Sequence, residues 1–174
     1  MADELFEAAL IMAGGLGSRL WGPSKPFTKI CGRALVEHVL QPASEVSRRV
    51  LIALSPATSQ YICSVNPPPN VAYIVTSGTG YEHDLGLLLG AVRQRPLLVL
   101  PADVVGLSSV MLRTLLRRSL DIPQPVVTVR DSGRYVGISV FKDDRIECWA
   151  DLDVNWGLIN VNTEGDYDDA VERC

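Results

Sequence analysis

Residues Ile11–Pro26 read IMAGGLGSRLWGPSKP. The short apolar run Ala8–Ala13 stops at glycines 14, 15 and 17, which is the pattern of a buried strand ending in a tight turn. Such a turn bares backbone N–H groups, and Arg19 and Lys25 add full positive charges beside it. From Ala8 to Val36 the chain carries no Asp or Glu, yet Arg19, Lys25, Lys29 and Arg33 all fall there. The chain as a whole is acidic, with a net charge of -4. A basic zone on an acidic chain suits the capture of an anion at one place, and the overall charge argues against a nucleic-acid partner.

Beyond this stretch, strand and helix signals alternate. Strands are predicted at Val50–Leu54, Val71–Val75 and Leu97–Leu100, and helices at Ala34–Val46, Glu82–Val92 and from a Ser108 cap towards Arg118. Gly86 and Gly90, four apart, are expected to let the second helix lie close to the sheet. Val126–Val129 and Tyr135–Phe141 flank Asp131-Ser132-Gly133 and read as a hairpin. Trp156–Val161 is expected as the last strand, and Thr163 as the start of a final helix. The pattern specifies a three-layer α/β/α Rossmann-like fold with a mainly parallel sheet and an antiparallel addition, in one domain spanning 1–174.

Four cysteines, Cys31, Cys63, Cys148 and Cys174, show no C-x-x-C pair. They are expected as reduced thiols, with neither a zinc site nor a disulfide framework. No apolar run approaches the roughly 20 residues of a membrane helix, and the opening Met-Ala-Asp-Glu is acidic where a signal peptide is basic. A cytoplasmic protein without membrane contact is the expectation. Its oligomeric state is open, a homodimer included.

In such a sheet, ligands bind beyond the carboxyl ends of the strands. Three phosphate loops compete for the opening stretch. A dinucleotide fingerprint needs a third glycine, but Ser18-Arg19-Leu20 follows Gly17, and no acid ends the second strand at Ser55-Pro56. A Walker A loop needs lysine where Pro23 stands. A nucleotidyltransferase loop remains. Gly14-Gly15-Leu16-Gly17-Ser18-Arg19 followed by Lys25-Pro26 resembles the G-G-x-G-[ST]-R…K-P signature of the nucleoside-triphosphate transferase superfamily.

The likeness runs on. KPFTKICGRALVEHVL and TSGTGYEHDL resemble the archaeal adenosylcobinamide-phosphate guanylyltransferase branch; LVLPADVVGLS and INVNTEGDYDDA resemble superfamily segments. Molybdenum-cofactor enzymes usually carry Gly-Pro-Leu-Ala-Gly where this chain has Thr76–Tyr81. Val75 departs from the cobinamide branch, where an acid is expected. The resemblance implies transfer of GMP from GTP to a phosphorylated small molecule, adenosylcobinamide phosphate, with release of pyrophosphate. A molybdopterin or sugar-phosphate acceptor, or a non-catalytic nucleotide-binding module, are the alternatives. It also implies Arg19, Lys25 and Asp103 as catalytic residues, with Asp103 holding Mg²⁺. Nucleotide contacts fall to Ala13, Gly14, Gly15, Leu16, Gly17, Ser18, Arg19 and Lys25, and to Ser77 and Gly78. Asn160 and Asn162, two apart and so on one side of a strand, are candidates for the metal or the acceptor. Trp21 reads equally as a ligand cover or a packing residue, His38 as structural, and His83 as a solvated residue ahead of a catalytic one.

Overall fold

The computed structural model describes residues 4–174, so of the acidic opening only Glu4 lies within it. In chain order the elements are β1 (Ala8–Met12), β2 (Lys29–Ile30), β3 (Arg33–Ala34), α1 (Glu37–Val46), β4 (Val50–Leu54), α2 (Pro56–Ser59), β5 (Val71–Val75) and α3 (Tyr81–Ala91). Then come β6 (Leu97–Pro101), β7 (Val104–Val105), α4 (Ser109–Leu120), β8 (Val126–Asp131), β9 (Arg134–Phe141), β10 (Trp149–Val154), β11 (Ile159–Asn160) and α5 (Glu164–Glu172). A seven-stranded sheet runs in the order β10-β8-β9-β6-β1-β4-β5. Every pairing in it is parallel except the two made by β9, with β6 and β8.

The central strands are apolar on both faces because both faces are covered. Ala9, Ile11, Val50, Ile52, Leu98 and Leu100 share one core with residues of α1 and α4. Ala8, Leu10, Leu51, Ala53, Leu97 and Val99 share the other with Leu88 and Val92 on the α3 side. On α4, Leu112 and Leu115 are fully buried, and each such leucine contributes about 2 kcal/mol of burial. Ser108 begins that helix as expected, its hydroxyl accepting from Met111 N at 3.3 Å. Thr163 and Asp166 form a reciprocal capping box on α5.

Three expectations need correction, and one strand lies outside the expected set. Helix α1 starts at Glu37, because residues 29–34 form a tight β2–β3 hairpin instead. Its two turn residues, Cys31 and Gly32, have φ of 53° and 77°, the left-handed pair of a type I′ turn. Ser132 and Gly133 make the same kind of turn, at 52° and 81°, in the anticipated β8–β9 hairpin. The expected strand at Trp156–Val161 shrinks to β11, which pairs with β7 outside the main sheet. The buried Asp131 carboxylate captures the amides of Trp156, Gly157 and Leu158 at 2.7–3.3 Å, so those groups cannot join a ladder. The seventh strand is β10, whose Asp151 and Asp153 face away from the buried Leu152. Gly86 and Gly90 lie on the exposed side of α3 with open space around them, so they do not set its approach to the sheet.

The thiol expectation also fails. Cys31 and Cys174 are disulfide-bonded, with Cα atoms 5.4 Å apart and 143 residues between them in sequence. The bond ties the β2–β3 turn to the end of α5. Cys63 and Cys148 are free and exposed. No helix among the described residues is long and apolar enough to cross a membrane.

Candidate active site

A cleft of about 500 Å³ opens at the carboxyl ends of β1, β4 and β6. This is the size of an ordinary small-ligand site. Its floor is the loop after β1, from Ala13 to Leu20, and every predicted phosphate-loop residue from Ala13 to Arg19 lines it. Gly17 has φ +59°, and its carbonyl accepts from Leu20 N and Gly22 N, both at 3.0 Å. A Cβ there would collide with the Gly22 carbonyl, so this glycine is needed to fold the loop itself. Gly14 packs on Ser55, where a Cβ would lie 3.2 Å from the amide nitrogen. Gly15, by contrast, meets nothing within 4 Å on its Cβ side, so its backbone is open to a ligand. The loop continues into a turn and a 3₁₀ segment, Gly22–Phe27, rather than the α-helical turn that a phosphate loop commonly enters.

That 3₁₀ segment places Lys25 on the cleft wall. Its ammonium donates to Asp103 Oδ2 at 2.7 Å and to Asn162 Oδ1 at 3.0 Å. The Lys25 and Asp103 side chains are 12% and 24% exposed, so solvent screens the ion pair only in part. Asp103 follows β6, and Ser108, not Asp103, caps α4. The short β7–β11 ladder and a bond from Val161 N to Asp103 O at 2.9 Å hold Asp103 beside Asn162. Asp166 then fixes the Asn162 backbone, accepting from its amide at 2.9 Å. Hydrogen bonds from the Asn162 and Thr163 amides, with Lys25 nearby, hold the Asp166 carboxyl below its usual range against the opposing effect of burial.

Asn160 and Asn162 do not face the same way. Asn162 lines the cleft, whereas Asn160 turns away, its amide 3.5 Å from Val136 O and its buried Oδ1 without a partner among the described residues. The strand ends between them, so the two-residue repeat that would align them is broken. Trp21 stacks edge-on against Tyr167 of α5, ring centroids 5.0 Å apart, and packs rather than lining the cleft. His38 is buried, its Nε2 2.9 Å from Ile30 O, and burial pushes its pKa down. His83 is exposed and outside the cleft lining.

The opposite wall is the loop 76–80 before α3. Gly78 lines the cleft, but Ser77 does not. The Ser77 hydroxyl donates to Asp84 Oδ1 at 2.6 Å, while Thr76 Oγ1 and Gly78 N donate to Asp84 Oδ2 at 2.9 and 3.1 Å. Asp84, 4% exposed, is thus the hub of this wall, and sequence reasoning missed it. An acid in a helix's first turn is ordinary, so only its burial singles it out. The Ser77 bond, ahead of the opposing burial and then helped by Thr76 and Gly78, holds its carboxyl below the usual range.

A glycine-rich cradle, an arginine, and a lysine bridging an aspartate and an asparagine are assembled from segments far apart in sequence. The MobA-like NTP transferase domain matches residues 9–160. The chain belongs to that family. This MobA-like domain is 40% identical over 113 residues to an adenosylcobinamide-phosphate guanylyltransferase of Methanocaldococcus jannaschii, covering 62% of this chain and 57% of that protein. It is 26% identical over 125 residues to a molybdenum cofactor guanylyltransferase of Pseudomonas syringae pv. syringae, covering 70% of this chain and 60% of that one. The matched stretches thus span less than two thirds of either relative. In three dimensions the MobA-like domain resembles Rv0371c of Mycobacterium tuberculosis H37Rv, with a TM-score of 0.76 over 97% of this chain and 99% of that one at 15% identity, a likeness of fold.

Proposed function

We propose that this chain, as one domain, is a nucleotidyltransferase that moves GMP from GTP to adenosylcobinamide phosphate and releases pyrophosphate. The observation that carries the reading is the convergence of Lys25, Asp103 and Asn162 on the lip of the Gly14–Arg19 loop. The guanylyl and cobinamide assignments are supported by the 40% identical archaeal relative.

The chemistry needs little beyond positioning and charge. A phosphate monoester is already anionic near neutral pH, so its oxygen attacks the α-phosphorus without a general base. The new P–O bond forms as the bond from the α-phosphorus to the bridging oxygen breaks, and that oxygen leaves with pyrophosphate. Backbone N–H groups of Gly15–Arg19 hold the phosphates, and the exposed Arg19 guanidinium adds a fork of donors. Lys25 leaves Asp103 to meet charge growing at the α-phosphate.

The oxygen donors fit a divalent ion. Asp103 Oδ2 and Asn162 Oδ1 already converge on one cation, the Lys25 ammonium, and oxygen donors of this kind suit Mg²⁺. Asp103 and Asn162 are the residues that would hold it. Bound there, Mg²⁺ supplies electrostatic stabilisation of the triphosphate and the departing pyrophosphate.

The test is pyrophosphate release from each of GTP, ATP, CTP and UTP with adenosylcobinamide phosphate and Mg²⁺. Release with GTP supports the reading. Inertness with this acceptor but turnover of GTP with molybdopterin moves the chain to the other branch, which the Pseudomonas relative favours. Binding of GTP with no turnover on any acceptor leaves a non-catalytic nucleotide module.

A further inference from the structure

The loop 76–80 forms one wall of the cleft, yet several of its hydrogen-bond donors are spent inside the protein. Thr76 Oγ1, Ser77 Oγ and Gly78 N are all engaged by the buried Asp84 carboxylate. The Thr79 amide leans on Ser77 Oγ at 3.4 Å. Gly78 and Thr79 line the cleft, and among the described residues no hydrogen bond takes up their carbonyl oxygens. On the lining residues Gly78 and Thr79 the amides are therefore spent while the carbonyls are not, and the Gly80 amide is the donor left on this stretch of the wall. Gly78 has φ +70°, and its Cα side packs against Ser55, where a Cβ would lie 2.9 Å from the Ser55 Cβ, so the loop cannot easily turn over to present its amides.

We propose that Asp84 is a specificity-positioning residue: by withdrawing three donors of loop 76–80, the Gly78 amide on the cleft lining among them, it leaves the Gly78 and Thr79 carbonyls to read a nucleobase whose edge carries adjacent N–H donors. Guanine carries two such donors, N1–H and the 2-amino group. Hypoxanthine keeps N1–H and lacks the amino group, and adenine places an acceptor at N1. An acceptor-rich wall thus binds guanine, loses a contact with hypoxanthine and sets lone pair against lone pair with adenine. The inference rests on the nucleotide reading above, and it names what that wall selects and the residue responsible. The depressed carboxyl of Asp84 agrees with a charged acceptor, held ready to keep all three donors engaged.

The experiment compares dissociation constants for GTP, ITP and ATP by calorimetry, with KM and kcat for GTP, in wild type, Asp84→Ala and Asp84→Asn. Asp84→Ala frees the Gly78 amide on the cleft lining, whereas Thr76 Oγ1 keeps Leu54 O at 3.1 Å and Ser77 Oγ keeps Thr79 Oγ1 at 2.8 Å. The variant is expected to lower GTP-over-ITP and GTP-over-ATP discrimination by about 10-fold, with the loss in KM rather than in kcat. Asp84→Asn is expected to recover most of the discrimination. Its oxygen can serve Thr76 and Gly78, and its amide can donate to Ser77 Oγ, whose own hydrogen turns to Thr79 Oγ1, 2.8 Å away. If Asp84→Ala does not fold, the pair Thr76→Val and Ser77→Ala removes two of the three side-chain and backbone donors around an intact carboxylate, and its ratios are expected to match wild type. A folded Asp84→Ala protein with unchanged ratios, or with an equal loss for all three nucleotides, overturns the role of Asp84 alone; so does a Thr76→Val/Ser77→Ala protein with collapsed ratios. Wild type that binds no nucleoside triphosphate overturns this role together with the nucleotide reading.

Discussion

Replacing Cys174 by serine cuts the one disulfide among the described residues, which joins positions 143 apart in sequence. The gain from such a bond comes mainly from restricting the unfolded chain. For the separation of 143 residues, loop-closure entropy gives about 5 kcal/mol at 298 K as an upper value, and measured disulfides commonly deliver ~2–4 kcal/mol. For a chain of 174 residues, each kcal/mol shifts the melting temperature by about 2–4 °C, so the expected drop is on the order of 10 °C. The loss has a local side as well. The bond anchors the far end of α5, whose near end carries Asn162 against Lys25. The assay is thermal and urea unfolding of wild type, Cys174→Ser and Cys31→Ser/Cys174→Ser, each with and without a dithiol reductant. Reductant is expected to bring wild type down to the level of the variants and to leave the variants unmoved. A wild-type protein within about 1 kcal/mol of Cys174→Ser, or insensitive to reductant, would show that the bond contributes nothing to the native state in solution.

Lys25→Ala is expected to lower the single-turnover rate about 10²-fold or more while GTP still binds, and a rate within threefold of wild type would place the charge elsewhere. Gly15→Ala, with open space around the new methyl, is expected to melt like wild type yet bind GTP more weakly by calorimetry; Gly17→Val, strained and colliding with Gly22, is expected to lose stability as well as binding. Asp166 has a folded pKa below its ordinary value of 3.8, so its stabilisation is complete above that value and is lost as pH falls below it. The stability gap between wild type and Asp166→Ala, read from urea midpoints, is therefore expected to shrink as the pH is lowered from about 5 to about 2, and a constant gap would refute the assignment.

The sequence alone was sufficient for whatever is local. The glycine loop, Arg19, the Ser108 and Thr163 caps and the Asp131–Gly133 turn are each determined by residues within a few positions of one another. The alternating apolar strands likewise announce a covered, mainly parallel sheet, because burial on both faces leaves a continuous greasy run. Tertiary structure decided the rest. Lys25 meets Asp103 across 78 residues and Asn162 across 137, and no periodicity couples positions so far apart. The same holds for Cys31 and Cys174, which spacing alone left as unrelated thiols. Asn160 and Asn162 looked equivalent until the chain left the strand between them. The run Trp156–Leu158 had a strand's composition, but a distant carboxylate, Asp131, took its amides, and Asp84 did the same for the wall of the cleft. For Asp84 and Asp131 a buried carboxylate had to find partners, and for these as for the others which partners were within reach was settled only once the sheet had brought remote segments together.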